Sequence, residues 1–174
     1  MTTEPNSAEL QIPTGYATFL KDGDSGPARD LGNISSFTIS NEITKKDKFK
    51  NRGGRRTKWK TFTTQVGATA KFTLDQISAD NIQYFALGNK EENSDGTITI
   101  DGLTETDFSG TLKVIGDNEA GPQLDWEGKV QFTPSGDFTF IKDNDDTNVI
   151  QIEASVQDDG SFPPGGRWTW RAQA

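Results

Sequence analysis

A chain of 174 residues with 26 acidic and 18 basic side chains carries a net charge of −8, and it contains neither cysteine nor histidine. Those two absences exclude a disulfide framework, thiolate chemistry, Ser-His and Cys-His nucleophile pairs and the commonest zinc ligand, so any catalysis would rest on carboxylates or lysine. The length suits one domain with its own core, and eleven phenylalanines in a chain only 31% hydrophobic make that core Phe-rich and thin.

In chain order, residues 1–13 are polar and are expected to form a flexible N-terminal arm, with residues 14–174 as a single domain. The start lacks the basic and apolar regions of a signal peptide, and no apolar run approaches a membrane span, which predicts a cytoplasmic chain without membrane insertion. Tyr16, Thr18 and Leu20 against Ala17 and Phe19 make a first strand of no clear sidedness, and a loop follows from Lys21 to Pro27. Phe37 and Ile39 alternate with polar residues in a second strand, Ser36 to Ser40.

The next stretch separates charge. Lys45, Lys46, Lys48, Lys50, Arg52, Arg55, Arg56, Lys58 and Lys60 stand against one carboxylate, Asp47, giving this segment +8 and leaving −16 for the rest of the chain. With Phe49, Trp59 and the Gly53-Gly54 pair, it reads as a long basic hairpin loop suited to an acidic surface on another copy of the chain. A nucleic-acid contact is the other reading, since guanidiniums meet phosphates and aromatics stack on bases, but the chain as a whole would repel a polyanion.

From Phe62 to Leu74 the even positions are Phe62, Thr64, Val66, Ala68, Ala70, Phe72 and Leu74, and the odd ones are polar or glycine. That alternation predicts a long strand with one face on a core. A short helix follows: Ser78 as N-cap, Ile77 and Ile82 as a hydrophobic staple, Asp80 in the first turn, an apolar stripe of Ile82, Phe85 and Ala86, and Gly88 as the left-handed stop. Strands then recur at Thr97–Asp101, Gly110–Ile115, Leu124–Phe132 and Ile150–Val156, with a hairpin turn at Pro134-Ser135-Gly136 into Phe138 and Phe140. The predicted fold class is mainly β: a two-sheet β-sandwich or barrel with one short flanking α-helix and a long basic loop.

Asp143 to Asn148 resembles a calcium loop, but its sixth position is Asn148 where the loop needs glycine and its twelfth is Ala154 where it needs glutamate, so it reads as a solvated turn. No metal, cofactor or catalytic residue is expected. Trp126, Trp168 and Trp170 offer either a sugar-stacking platform or core and interface aromatics.

From Tyr16 to about Gly88 the chain resembles the major tail tube proteins of long-tailed bacteriophages. The resemblance lies in the first strand and loop, Arg29-Asp30-Leu31-Gly32-Asn33-Ile34, the charged glycine-containing excursion, and Phe72-Thr73-Leu74-Asp75-Gln76-Ile77-Ser78-Ala79-Asp80-Asn81 passing into a helix that ends Leu87-Gly88. It implies a non-enzymatic structural protein, assembled in the host cytoplasm into stacked hexameric rings of the virion tail. It further implies tape measure, tail-tip and tail terminator proteins as partners, and a lumen that passes DNA without specific binding. Lys45 to Lys60 would then carry the contacts between subunits or rings. A carbohydrate-binding β-sandwich module is the alternative.

Overall fold

The structure, a computed structural model, describes residues 14–118, 121–133, 136–141 and 148–172. The protein is mainly β, with one large antiparallel sheet, a small second sheet and one helix. The strands are β1 (Thr14–Lys21), β2 (Arg29–Asp30), β3 (Ile34–Arg52), β4 (Arg55–Leu74), β5 (Asn89–Glu92), β6 (Ile98–Asp101), β7 (Ser109–Asp117), β8 (Gln123–Thr133), β9 (Ile150–Gln157) and β10 (Arg167–Arg171), and helix α1 (Ala79–Ala86) lies between β4 and β5. The large sheet runs β2-β1-β7-β8-β9-β4-β3 with β10 added to β8, while β5 and β6 pair alone.

Alternation fixes which face is covered. Ala17 and Phe19 of β1, Leu112 of β7, Trp126, Val130 and Phe132 of β8, Ile150, Ile152, Ala154 and Val156 of β9, and Ala68, Ala70, Phe72 and Leu74 of β4 are all buried on one side. The sidedness that the β1 sequence leaves open is thus settled by its odd positions. Phe19, Phe132, Tyr84 and Phe108 form an aromatic cluster with ring centroids 4.7 to 6.2 Å apart. The sheet also curls: Phe37 on β3 meets Trp126 on β8 at 5.9 Å, across two intervening strands. The other face is polar, with Thr69, Lys71 and Thr73 beside Gln151, Glu153 and Ser155, and a Lys71–Glu153 ion pair at 2.8 Å.

The helix begins as its sequence predicts, with the Ser78 hydroxyl accepting from the Asn81 N–H at 3.2 Å. Its end and its buried face differ from expectation. The left-handed residue is Leu87 (φ 48°, ψ 52°), one before Gly88. Gly88 is needed for space instead, because a Cβ there would stand 2.5 Å from the Asp101 carbonyl oxygen. Asn81, Tyr84 and Leu87 are the buried side chains, while Ile82 and Phe85 are partly buried against the core and Ile77 is exposed. Asn81 wins its place through hydrogen bonds, donating from Nδ2 to Leu31 O at 3.0 Å and Gln76 O at 2.9 Å, which ties the helix to the turn after β2.

The strands expected at Tyr16–Leu20, Thr97–Asp101, Gly110–Ile115, Leu124–Phe132 and Ile150–Val156 fall within a few residues of β1, β6, β7, β8 and β9, whereas those expected at Ser36–Ser40 and Phe62–Leu74 run on to Arg52 and begin at Arg55, and Phe138 and Phe140 belong to no strand. Pro134, Ser135 and most of the turn from Asp143 to Asn148 lie outside the described residues, as does the expected N-terminal arm. The Pro- and Gly-rich C-terminal stretch has a clear structural use. β8 pairs with β9 through Lys129–Thr133 and with β10 through Gln123–Glu127, so the chain leaves and rejoins one strand edge. Trp126 seals that junction, donating from Nε1 to Gly165 O at 3.1 Å. Gly166 holds φ 70° and a Cβ on it would come within 2.5 Å of the Trp126 indole, so no other residue fits.

Candidate assembly arm

Beyond the core, β3 and β4 continue as a two-stranded arm. Every residue from Ser40 to Val66 is exposed, and among the described residues the two strands pair along it with each other alone. At the strand rise the arm extends about 40 Å from Asn41 to its tip. The segment read from sequence as a basic loop is therefore regular hairpin. The reason lies at Gly53 and Gly54, whose φ values of 72° and 74° make the two-residue turn that matches the twist of antiparallel strands. Arg52 and Arg55 face each other across it, and the ladder then runs back to Ile34 and Leu74.

Two register shifts, after Thr44 and after Lys48, leave Thr64 and Trp59 as extra residues on β4. The cross-strand pairs then divide the side chains. Lys46 opposite Phe62, Lys48 opposite Lys60, Lys50 opposite Thr57 and Arg52 opposite Arg55 share one face, with the Lys48 ammonium 5.9 Å from the Trp59 ring centroid and Lys60 5.2 Å from that of Phe62. Six of the nine cations stand there without a carboxylate. This face continues the polar side of the sheet. The opposite face carries Lys45, Asp47, Phe49 and Asn51 with Arg56, Lys58 and Thr61; Asp47 accepts from Lys58 at 2.8 Å and from Thr61 at 2.6 Å, and Arg56 lies 4.5 Å over the Phe49 ring.

All eleven residues singled out from sequence, Lys45, Lys46, Lys48, Phe49, Lys50, Arg52, Arg55, Arg56, Lys58, Trp59 and Lys60, are thus on one element, but on two faces of it. Sequence reading omitted Phe62, which belongs to the cationic face and is 41% exposed. Its alternation with buried Phe72 and Leu74 placed it with the core; the bulges change its surroundings. Like charges placed directly opposite, as at Lys48/Lys60 and Arg52/Arg55, oppose hairpin formation. A local rule broken this consistently points to a requirement outside the hairpin.

Asp47 gives the arm its one internal ion pair. Hydrogen bonds from Lys58 and then from Thr61 hold its carboxyl below the ordinary value of 3.8. A lowered folded-state pKa stabilises at pH above the unfolded value and is lost as pH falls through the folded one. The Lys58 and Thr61 NMR resonances are therefore expected to shift together, with a midpoint below pH 3.8. In Asp47→Asn that transition disappears; an unchanged transition would show that another group is being reported.

A cleft lies elsewhere, at the end of the curled sheet, with a volume of about 240 Å³ and a lining that includes Tyr16, Phe37, Ile39, Trp126 and Trp168. Among the described residues that line it, Tyr16 is the one titratable side chain, which gives them no acid–base pair. Among the described residues no cluster of three or more carboxylates is placed to hold a metal ion, and no helix is long and apolar enough to cross a membrane. Trp126 is buried and cannot offer a stacking face, whereas Trp168 and Trp170 are exposed.

Residues 15–113, more than half of the chain, match the sequence model of a family described as "Protein of unknown function UCP028589". That span holds β1, the whole arm, the helix and the small sheet. No curated protein matches the chain.

Proposed function

The chain belongs to that family, and we propose that it is a structural protein that self-assembles into the stacked rings of a phage tail tube, through whose lumen genomic DNA is delivered. The observation that carries this reading is the arm: a regular hairpin about 40 Å long, wholly exposed and strongly cationic, on a chain that is otherwise acidic. An element that buries nothing within its own subunit gains its stabilisation from a partner. The polar sheet face below the arm supports a role as lumen wall, because its Lys71–Glu153 pair leaves it neutral and a neutral hydroxyl-rich wall does not retain a polyanion. Unpaired edges on β3 and β10 support closure by neighbouring subunits, which removes the aggregation hazard of an open sheet. Hexameric rings, tape measure, tail-tip and terminator partners, and a place in the virion tail follow from the resemblance to tail tube proteins. A carbohydrate-binding role would rest on Trp168 and Trp170 without Trp126.

Negative-stain electron microscopy of the concentrated protein tests the reading. Rings or tubes of uniform diameter with a central hole are expected at low salt, and fewer of them at high salt, where charge attraction is screened beyond about 3 Å at 1 M. Monomers throughout the salt series, together with glycan binding lost in Trp168→Ala and Trp170→Ala, would replace it with the carbohydrate-binding role.

A further inference from the structure

The arm needs an acceptor, and the chain carries one surface that complements it. Residues 75–107, which make the helix and the small sheet, hold eight carboxylates and one cation, Lys90, for a charge of −7. Some of these carboxylates are occupied: Asp80 pairs with Lys90 and with Arg29, and Glu105 with Lys21. Others are free. Glu91, Glu92 and Asp101 are exposed and make no side-chain hydrogen bond or ion pair among the described residues. In the β5–β6 register Glu91 lies opposite Thr99 and Asn89 opposite Asp101, which puts Glu91 and Asp101 on one face.

Apolar surface matches as well as charge. Ile98 is 46% exposed and Leu103, in the turn after β6, is 66% exposed. On the arm, Trp59 and Phe62 stand among the six cations at 58% and 41% exposure. The two elements are thus of opposite charge and each has two large exposed apolar groups, although Ile98, paired with Glu92, lies on the face of β5–β6 opposite to Glu91 and Asp101.

We infer that the cationic face of the arm docks on the β5–β6 layer of a second copy of this chain. The inference rests on the assembly reading and names the acceptor in it. The two surfaces are different parts of one subunit, so the contact is heterologous and head-to-tail, and it generates a ring or a stack instead of a closed pair. Among the described residues of one subunit, the arm cations form an ion pair with no carboxylate except Asp47. The cation excess is therefore left for the neighbour.

The test uses the full chain and charge reversal at exposed positions. Lys48→Glu with Lys50→Glu on the arm, and Glu91→Lys with Asp101→Lys on the small sheet, are each expected to reduce assembled mass at low salt at least about tenfold. Combining all four substitutions is expected to restore assembly in part, because the exchanged positions attract again while Lys46, Arg52, Arg55 and Lys60 keep their charge. Unchanged thermal melting of each variant establishes that folding is intact. Because the chain has no cysteine, a second measurement is clean: Lys50→Cys and Glu91→Cys chains, mixed and oxidised, are expected to form a disulfide-linked pair. Wild-type assembly that persists in Glu91→Lys/Asp101→Lys, with no mixed disulfide, overturns the acceptor and leaves the assembly reading standing. A wild-type chain that never assembles overturns the assembly reading itself. Binding of a single-stranded oligonucleotide that is lost in Lys48→Glu/Lys50→Glu and in Trp59→Ala, with assembly unaffected, would assign the face to nucleic acid and overturn the inference.

Discussion

Excising residues 44–65 and closing Ile43 to Val66 through an Asn-Gly turn is expected to give a folded monomer that forms no tubes at any salt concentration. Ile43 and Val66 are already a cross-strand pair, so the shortened hairpin keeps its register. Everything removed is exposed, and none of it packs against the core. Surface changes of that kind alter stability by about 0.5 kcal/mol or less, so the urea midpoint should barely move. Assembly should fall below detection, because six aligned cations and three exposed aromatics leave with the arm. Tubes of normal length from the shortened chain would remove the arm from assembly, whereas a large fall in the urea midpoint would mean that the arm supports its own subunit. The two readouts separate the role of the arm from its stability.

Much of the sheet could be read in advance because its strands are half-buried. Ala68, Ala70, Phe72 and Leu74, and likewise Ile150, Ile152, Ala154 and Val156, alternate strictly with polar residues, and burial follows that alternation. The helix N-terminus was legible for a similar reason, since Ser78 meets a requirement of the backbone that few residues meet. The helix face was not. Periodicity ranks Ile82 and Phe85 above Asn81, but two carbonyls outside the helix, those of Leu31 and Gln76, determine which side chain is drawn inward. A partner 50 residues away leaves no mark on a local pattern.

The arm shows the opposite failure. Its composition announced a charged excursion, and the nine cations were found from sequence. Their division into two faces was hidden by the shifts after Thr44 and Lys48, because a bulge changes the side on which later residues lie relative to their partners. Composition also argued for a loop, since few apolar residues are present to hold strands together. The Gly53-Gly54 turn and an unbroken ladder supply the order instead, and the aromatics contribute through cations over Phe49, Trp59 and Phe62.

Phe132→Ala should be the most destabilising single truncation in the core. Phe132 is 2% exposed and its ring lies 4.7 Å from Phe19, 5.7 Å from both Tyr84 and Phe108, and 6.2 Å from Phe72. It therefore joins β1, β4, β8, the helix and the segment before β7, and its backbone N–H donates to Phe108 O at 2.9 Å. Removing the ring costs about 3–5 kcal/mol from lost burial and the cavity left behind. Domains have about 5–15 kcal/mol in all, so about a fifth or more of the stability would go. Phe49→Ala is the control: its ring is 42% exposed and packs mainly under Arg56, a contact that contributes about 0.5–1 kcal/mol. Urea unfolding followed by tryptophan fluorescence should show a large fall in midpoint for the first variant and a small one for the second. Equal falls would mean that the arm and the core unfold as one cooperative unit. That result would contradict an arm whose order comes from its own ladder, and it would move the source of the arm's stability into the sheet beneath it.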